Sequence, residues 1–554
     1  MFYYVSLFLT LILAFPVSAQ DRPIVSPSAR QATCEALLDM DTLTIMRAVL
    51  TPASVTAPEH CYVRGLIAGR ITFHMQLPLP DNWNGRLVNL GDGGKDGNLD
   101  YGDYRVAQGY AIANSNTGHD LGAQPGSTFA DDRQAQIDFG YRAVHLTANT
   151  SKALVRAYYN QPPRFAYFEG CSTGGRQGLM EAQRFPADFD GIVSGAPVYD
   201  YQAVAVVNIF KAKLVFEDDF AGNLAFDADG DGIPESLTKW KILRNKVLEV
   251  CDANDGFVDR VVDDPLSCAF NPAIHLAEYM CPADRDADNC FTQRQIDTIE
   301  KLYARPHDSK GVEFGRGLSL GSEWGWDYTT IAHEGNDLLP TNLRYAASHV
   351  NYLFFENSPG VPMADHTDLS VRPDKTVTPP EYAWWEFTMD DYTSGRGEFM
   401  MAITDATEPN LTRFLDREGG KLLLYHGWAD PDRQAMPTVD YYESVVEHSF
   451  QGNLDAAQEK VRLFMIPGLG HCDGGPGIDR DNDFVPHGWD RLATIRNWVE
   501  NSQAPDYLVI DHYKDGEVVG SRRVCPYPQR AVYVGPEGGQ TDLKNWDESN
   551  YGCR

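Results

Sequence analysis

Gly170-Cys171-Ser172-Thr173-Gly174 sets a serine hydroxyl between glycines. A hydroxyl is a weak nucleophile and needs a neighbouring base, which in turn needs a group to orient it. The apolar run Phe165-Ala-Tyr-Phe168 before this segment reads as a buried strand, and Gln177 to Arg184 after it reads as a helix. A serine on so sharp a strand-to-helix turn stands exposed at a helix N-terminus, where backbone N–H groups can face a developing oxyanion.

The remaining chemistry lies far downstream. His426-Gly-Trp-Ala-Asp430-Pro431 follows the apolar run Lys421–Tyr425. Pro467-Gly-Leu-Gly-His471-Cys472-Asp473 follows the run Val461–Ile466. The order Ser, acid, His is that of the α/β-hydrolase fold, so Asp430 is assigned as the orienting acid and His471 as the base. His426 competes as base, but it shares the acid's loop. Asp432 and Asp473 compete with Asp430.

Ten cysteines are expected to form an oxidised set. Sequence closeness pairs Cys251 with Cys268 and Cys281 with Cys290 as local staples, and Cys34 with Cys61 and Cys525 with Cys553 at the two ends. Cys171 and Cys472 are left, each beside a catalytic candidate. A bridge between them would pin the nucleophile and base loops together.

The elements that must position these groups are short apolar runs: Arg86–Leu90, Phe165–Phe168, Gly191–Ser194, Lys421–Tyr425 and Val461–Ile466, with a long helical pattern around Ala135 to Tyr159. Strands alternating with helices predict an α/β protein with a parallel sheet. From about Tyr201 to Leu411 these strand signals fade into aspartate-rich loops and a Trp/Gly/Tyr-rich stretch. That segment is expected to be one large insertion capping the sheet's carboxyl edge. The expected organisation is a signal peptide over 1–19, a hydrolase domain over 20–200 and 411–554, and a lid over 201–410.

Gly-Cys171-Ser172-Thr-Gly-Gly, Asp430 and His471-Cys472 together resemble the tannase and feruloyl esterase family, as does Phe185-Pro-Ala-Asp-Phe-Asp-Gly-Ile-Val-Ser-Gly-Ala-Pro197. The resemblance spans nearly all of the mature chain. It implies an α/β-hydrolase core, a Ser-Asp-His triad, a disulfide between Cys171 and Cys472, and a calcium-bearing lid. It also implies hydrolysis of aromatic acyl esters, whether feruloyl or other hydroxycinnamoyl, galloyl, or terephthalate-like, on small molecules or attached to polysaccharide. Trp324, Trp326, Tyr328, Phe354 and Phe355 could line an aromatic pocket.

The oxyanion hole should pair the Thr173 N–H with an N–H of Leu90-Gly91-Asp92-Gly93-Gly94-Lys95, where Asp92 departs from the all-glycine run usual in relatives. Gly93 is preferred over Gly91 and Gly94. Cys251-Asp252-Ala-Asn-Asp255-Gly-Phe257-Val-Asp259-Arg-Val261 resembles the family's lid Ca2+ site. Asp252, Asp255 and Asp259 would supply carboxylates, and Phe257 and Val261 backbone carbonyls. Arg260 stands where relatives commonly have glycine. Asp227-Ala-Asp229-Gly-Asp231-Gly-Ile-Pro-Glu235 looks like a second calcium loop, although Thr238 falls where an EF-hand places its last glutamate.

A net charge of −31 over 554 residues disfavours nucleic acid and anionic membranes as partners. The uncharged, apolar start of the chain ends in Val17-Ser18-Ala19, which reads as a signal peptide cut after Ala19 and predicts a secreted or periplasmic protein. No later stretch is long and apolar enough to span a bilayer. Two other function classes fit the same residues less well: a serine peptidase on this fold, and a non-catalytic secreted binding protein stabilised by calcium.

Overall fold

The computed structural model describes residues 26–354, 384, 386–476, 487–514 and 517–554. The expected signal peptide and Phe355 lie outside the described residues. Nine strands form one sheet in the order β1-β2-β3-β5-β4-β6-β7-β8-β9. The strands are β1 (Thr44–Thr51), β2 (His60–Ile67), β3 (Ile71–Pro78), β4 (Arg86–Leu90), β5 (Ala111–Ser115), β6 (Phe165–Cys171), β7 (Gly191–Gly195), β8 (Lys421–Gly427) and β9 (Val461–Ile466). The six from β5 to β9 run parallel. Antiparallel β3, β2 and β1 extend that sheet at one edge. This is an α/β-hydrolase-type sheet with helices packed on it.

Most of the parallel strands are largely apolar because both faces are covered; β5 is buried throughout although it ends in Asn114 and Ser115. On one side Phe168, Ile192, Leu422, Leu424 and Leu463 join a cluster with Leu179 and Met180. On the other, Tyr167, Val193, Leu423 and Phe464 pack with Ile495 and Trp498. The helices that matter below are α1 (Ala143–Tyr159), α2 (Thr173–Arg184), α3 (Tyr201–Phe220), α4 (Thr341–Tyr352), α5 (Met436–Phe450) and α6 (Arg491–Asn501). The helical pattern predicted from Ala135 holds, but it passes through a π-helical turn at Asp138–Arg142 before α1.

Between β7 and β8 the chain leaves the sheet and builds its own apolar clusters. One is centred on Trp240, Leu243, Ile299 and Trp326, another on Val206, Val215, Ala346 and Phe354. After β9 come β10 (His487–Gly488), β11 (Leu508–Lys514) and β12 (Glu517–Val524) in a separate antiparallel sheet. The hairpin-like pair β13 (Ala531–Tyr533) and β14 (Tyr551–Cys553) follows. All five disulfides expected from the sequence are present: Cys34–Cys61, Cys171–Cys472, Cys251–Cys268, Cys281–Cys290 and Cys525–Cys553.

Adjacent strands β7 and β8 are in register with Gly195 opposite Tyr425. A Cβ at Gly195 would lie 2.1 Å from the Tyr425 ring. That ring is buried, with the Trp489 ring edge-on to it and the Arg491 guanidinium 5.0 Å from its centre. Gly195→Ala should therefore behave as overpacking and lower unfolding stability by about 1–3 kcal/mol. An unchanged midpoint in chemical denaturation would show that the ring can yield freely.

Candidate active site

Ser172 sits between β6 and α2 with φ +62° and ψ −121°, a conformation that costs a non-glycine residue energy and must be held in place by its surroundings. The Ser172 N–H donates to Gly195 O at 2.9 Å, while Ser172 O accepts from Arg176 N at 3.0 Å and Val198 N at 3.2 Å. The flanking glycines are required by close approach. A Cβ at Gly170 would lie 2.6 Å from Gly174 backbone atoms, and one at Gly174 would lie 2.9 Å from Asp92 O. The motif's spacing thus lets strand, helix and the loop after β4 meet at backbone distance.

That loop is the one expected to complete the oxyanion hole. Its Gly91 N–H donates to Glu169 O at 2.9 Å, and its Asp92 N–H donates to Gln177 Oε1 at 3.1 Å, so these two amides are already engaged. A Cβ at Gly93 would meet nothing within 4 Å, which leaves its surroundings open. Gly94 O accepts from Thr173 Oγ1 at 2.6 Å, tying the loop to the first turn of α2, where amides have no intrahelical partner. The geometry therefore removes Gly91 from the three candidates and leaves Gly93 and Gly94, the latter tied to the Thr173 end of the helix.

Sequence reasoning missed what holds this loop from beneath. Gln177 on α2 grips it twice, accepting from Asp92 N and donating through Nε2 to Asp96 Oδ2 at 2.8 Å. Burial pushes Asp96 up to about 8. Buried Lys95 has its Nζ 3.1 Å from His349 Nδ1, and His349 Nε2 lies 2.8 Å from Gln202 Oε1. Burial holds Lys95 well below the usual lysine range, which suits a neutral amine donating to an imidazole. Asp92, the departure from an all-glycine run, is buried and accepts from Asn114 Nδ2 at 2.7 Å. The only sequence signal for this network was Gln177 itself, at the end of the serine motif.

Asp430 and His471 come together from the loops after β8 and β9. His471 Nδ1 lies 2.7 Å from Asp430 Oδ2, so a proton on Nδ1 is donated to the carboxylate and Nε2 is left as the basic nitrogen. Asp430 Oδ1 accepts from the Asp432 and Arg433 amides at 2.8 and 2.9 Å. His426 Nε2 lies 3.0 Å from Asp430 Oδ2, and its Nδ1 lies 2.7 Å from Thr438 Oγ1. His426 is therefore a buried structural imidazole behind the acid, and Asp432 contributes its amide to Asp430. Burial pushes the Asp430 carboxyl up, but the His471 charge and the bonds from both histidines hold it far below the usual range. For His471, burial is outweighed by the Asp430 charge and hydrogen bond, and its pKa is raised.

The Cys171–Cys472 disulfide joins the residue before Ser172 to the residue after His471, with Cα atoms 5.9 Å apart across 301 positions of sequence. The segment between β7 and β8 covers this assembly. Trp324 Nε1 donates to Ala429 O at 2.6 Å, and a Cβ at Gly470 would lie 2.7 Å from the Trp324 ring. Of the aromatic residues expected near a pocket, Trp326 and Phe354 are buried core, whereas Tyr328 is exposed and meets the Trp324 ring edge-on at 6.0 Å.

Asp252, Asp255 and Asp259 are buried in one loop with Phe257 and Val261. Asp252 Oδ1 accepts from the Asp259 and Arg260 amides at 3.0 Å, and Arg260 has φ +68°, the region that favours glycine. Buried Arg522 on β12 donates to Asp259 Oδ2 at 2.5 Å, to Asp255 Oδ2 at 3.4 Å and to Asp263 Oδ1. Three buried carboxylates thus face a single guanidinium, and a fourth, Asp252, has only backbone amides as partners. Burial and the Asp259 charge push Asp252 up to about 7. An all-oxygen donor set with excess negative charge fits a hard divalent cation, which would share Asp255 and Asp259 with Arg522. The second acidic loop is exposed, and backbone amides of Gly230, Asp231, Gly232 and Ile233 satisfy its aspartates. Oxygens of Asp227, Asp229 and Glu235 lie within 4.8 Å of one another.

A sequence profile of tannase and feruloyl esterase matches residues 55–546. The chain is 29% identical to the mono(2-hydroxyethyl) terephthalate hydrolase of Piscinibacter sakaiensis, an alignment covering 95% of this chain and 92% of that one. It is 28% identical to feruloyl esterase B of Aspergillus niger over 84% of this chain and 82% of that one. The crystal structure of feruloyl esterase B from Aspergillus oryzae superposes with a TM-score of 0.74 at 24% identity, covering 95% of this chain and all of that one.

The acid–base pair makes its own pH prediction. A base must be neutral to accept a proton, so the acid limb of kcat/KM should lie above 6.5, the ordinary value for His471. The pair's contribution to stability has the opposite sense at its two ends. Asp430, lowered, contributes above 3.8 and loses that contribution as pH falls. His471, raised, contributes fully below 6.5 and loses it as pH rises through the folded value. Asp430→Asn should lower kcat by about 10⁴, and its stability deficit should be greatest between those two values. The same loss on Asp432→Asn or Asp473→Asn, with Asp430→Asn active, would reassign the acid.

Proposed function

From the premise that the chain belongs to the tannase and feruloyl esterase family, and is therefore a carboxylic-ester hydrolase, we propose that it cleaves esters of aromatic acids through an acyl-enzyme on Ser172. His471 Nε2 takes the Ser172 Oγ proton as the oxygen attacks the ester carbonyl. The Thr173 amide at the α2 N-terminus, with that of Gly93, stabilises the tetrahedral oxyanion. His471 then protonates the departing alcohol. It next activates the water that releases the acid, while Asp430 holds the imidazole tautomer throughout. The observation that carries this reading is a serine held at φ +62° on a turn whose loop is covalently tied to the His471–Asp430 pair.

The acyl class follows from relatives that act on feruloyl and mono(2-hydroxyethyl) terephthalate esters by name, with Tyr328 exposed on the covering segment as an aromatic surface. Five disulfides support an oxidising, secreted or periplasmic setting, and no helix among the described residues is long and apolar enough to cross a membrane. Ca2+ held by Asp252, Asp255, Asp259 and the Phe257 and Val261 carbonyls would neutralise the buried carboxylates. In this reading it acts on stability alone.

Ser172→Ala should reduce ester hydrolysis by about 10⁶ with the fold retained, and should abolish labelling by a fluorophosphonate probe. Labelling of another residue would move the nucleophile. Faster turnover of matched amides than esters would turn the reading toward a peptidase. An unlabelled, inactive wild type would make the chain a binding protein. The calcium assignment has a separate readout. Chelation should lower the melting temperature of wild type, but not that of Asp252→Asn, because a ligand bound to the native state alone stabilises it by mass action. Equal sensitivity of both proteins to chelator would remove the ion from this loop.

A further inference from the structure

Away from the catalytic loops, three side chains converge with a charge problem that nothing described so far resolves. His145 comes from α1, Glu181 from the last turns of α2, and Asp188 from the turn leading into β7. A ligating atom of each lies within 4.8 Å of the others. His145 Nδ1 is 2.6 Å from Asp188 Oδ2, so that pair is satisfied. Glu181 is 1% exposed, no donor among the described residues reaches either carboxyl oxygen, and the group its carboxyl faces is Asp188, with which only a protonated Glu181 can bond. Burying a carboxylate with no donor is strongly unfavourable, so either a proton or a cation must sit there. Lys152 Nζ lies 3.9 Å from the other Asp188 oxygen; its charge favours ionised Glu181, but burial and the Asp188 charge outweigh it.

We propose that His145, Glu181 and Asp188 form a site for a divalent transition-series cation such as Zn2+. One imidazole nitrogen with two carboxylates matches the ligand preferences of Zn2+ or Mn2+ better than the all-oxygen shell of Ca2+. Two carboxylates and a neutral imidazole match the ion's two charges, with the Lys152 ammonium outside the ligand set, 3.9 Å from Asp188 Oδ1. Without the ion, Glu181 keeps its proton against Asp188. Binding releases that proton, and if Nδ1 becomes the ligand its hydrogen moves to Nε2. The entry path is open because the His145 side chain is 28% exposed. A surface groove of about 490 Å³ lined by Lys152, Arg156, Ala187 and Asp188 adjoins the cluster. Three protein ligands leave a position for water on that side.

Glu181 lies nine residues beyond Ser172, about 13 Å along the helix at 1.5 Å per residue. The ion would brace the far end of the nucleophile helix against α1 without reaching substrate. The experiment uses untagged full-length protein, stripped of metals and returned to calcium, then titrated with ZnCl2 in two buffers of different ionisation enthalpy. Wild type should bind one more Zn2+ than Glu181→Gln or Asp188→Asn, release about one proton on binding, and melt at higher temperature. Ester hydrolysis should be unaltered by Glu181→Gln. Anomalous scattering at the zinc edge should place the ion between the three side chains. His145→Ala, altering a partly exposed residue, provides a second variant if Glu181→Gln folds poorly. Equal Zn2+ stoichiometry in wild type and the variants overturns the proposal. So does a wild type that binds no Zn2+ but shows a protonated-carboxyl infrared band lost in Glu181→Gln, since a shared proton alone then resolves the charge.

Discussion

A carboxylate can be buried only if its lone pairs are met, and Asp430 meets this demand from four directions. Two backbone amides of its own loop, His426 from the strand behind it and His471 from the neighbouring loop all point at one carboxyl group. The consequence is mechanical as well as electrostatic. The amides fix the turn after β8, His426 anchors that turn to Thr438 on α5, and the remaining direction is available only to an imidazole arriving from β9. The order of parallel strands β7, β8 and β9 is what brings these loops side by side. The Asp430–His471 pair is therefore a property of the sheet's edge geometry, expressed through one buried anion.

The segment between β7 and β8 is joined to this anion at several points. Trp324 donates to the carbonyl of Ala429, next to Asp430, and its ring covers Gly470, next to His471. Val261, in the acidic loop, faces Gly468 at a distance where a glycine Cβ would meet it at 3.2 Å. Arg522 from the C-terminal sheet reaches into the same acidic loop. The acidic loop is thereby packed between the C-terminal sheet on one side and the loop that carries His471 on the other.

Five of the six parallel strands were legible because burial on both faces writes them as largely apolar runs; β5, Ala111–Ser115, was not, because its second half is Asn114 and Ser115. The serine turn was legible because close backbone approach demands glycine at fixed offsets. Antiparallel β1 to β3 escaped notice because they mix polar and apolar residues, β1 at the half-covered edge and β3 with His74 and Gln76 inside the core. Asp430 stood out from Asp432 and Asp473 only weakly, since chain position cannot say which carboxylate an imidazole will face; the strand-end geometry decides it. The Lys95–His349–Gln202 network was invisible for a deeper reason. Its members lie 254 and 147 positions apart, and no local pattern marks a lysine as neutral and buried. The loop glycines were equally ambiguous until the partners of the Gly91 and Asp92 amides were known.

The Cys171–Cys472 bond encloses 301 positions of chain in a covalent ring, and the whole segment that covers the catalytic loops lies inside it. A single peptide-bond cut anywhere within that ring produces two pieces that remain one molecule. Ser172 and His471 stay on opposite pieces but cannot diffuse apart. Exposed loops such as the one around Asp229 and Gly230 are natural points of attack for a protease, yet a nick there liberates nothing. In a protein whose working groups are contributed from both ends of a long excursion, the bond converts cleavage from dissociation into mere loosening.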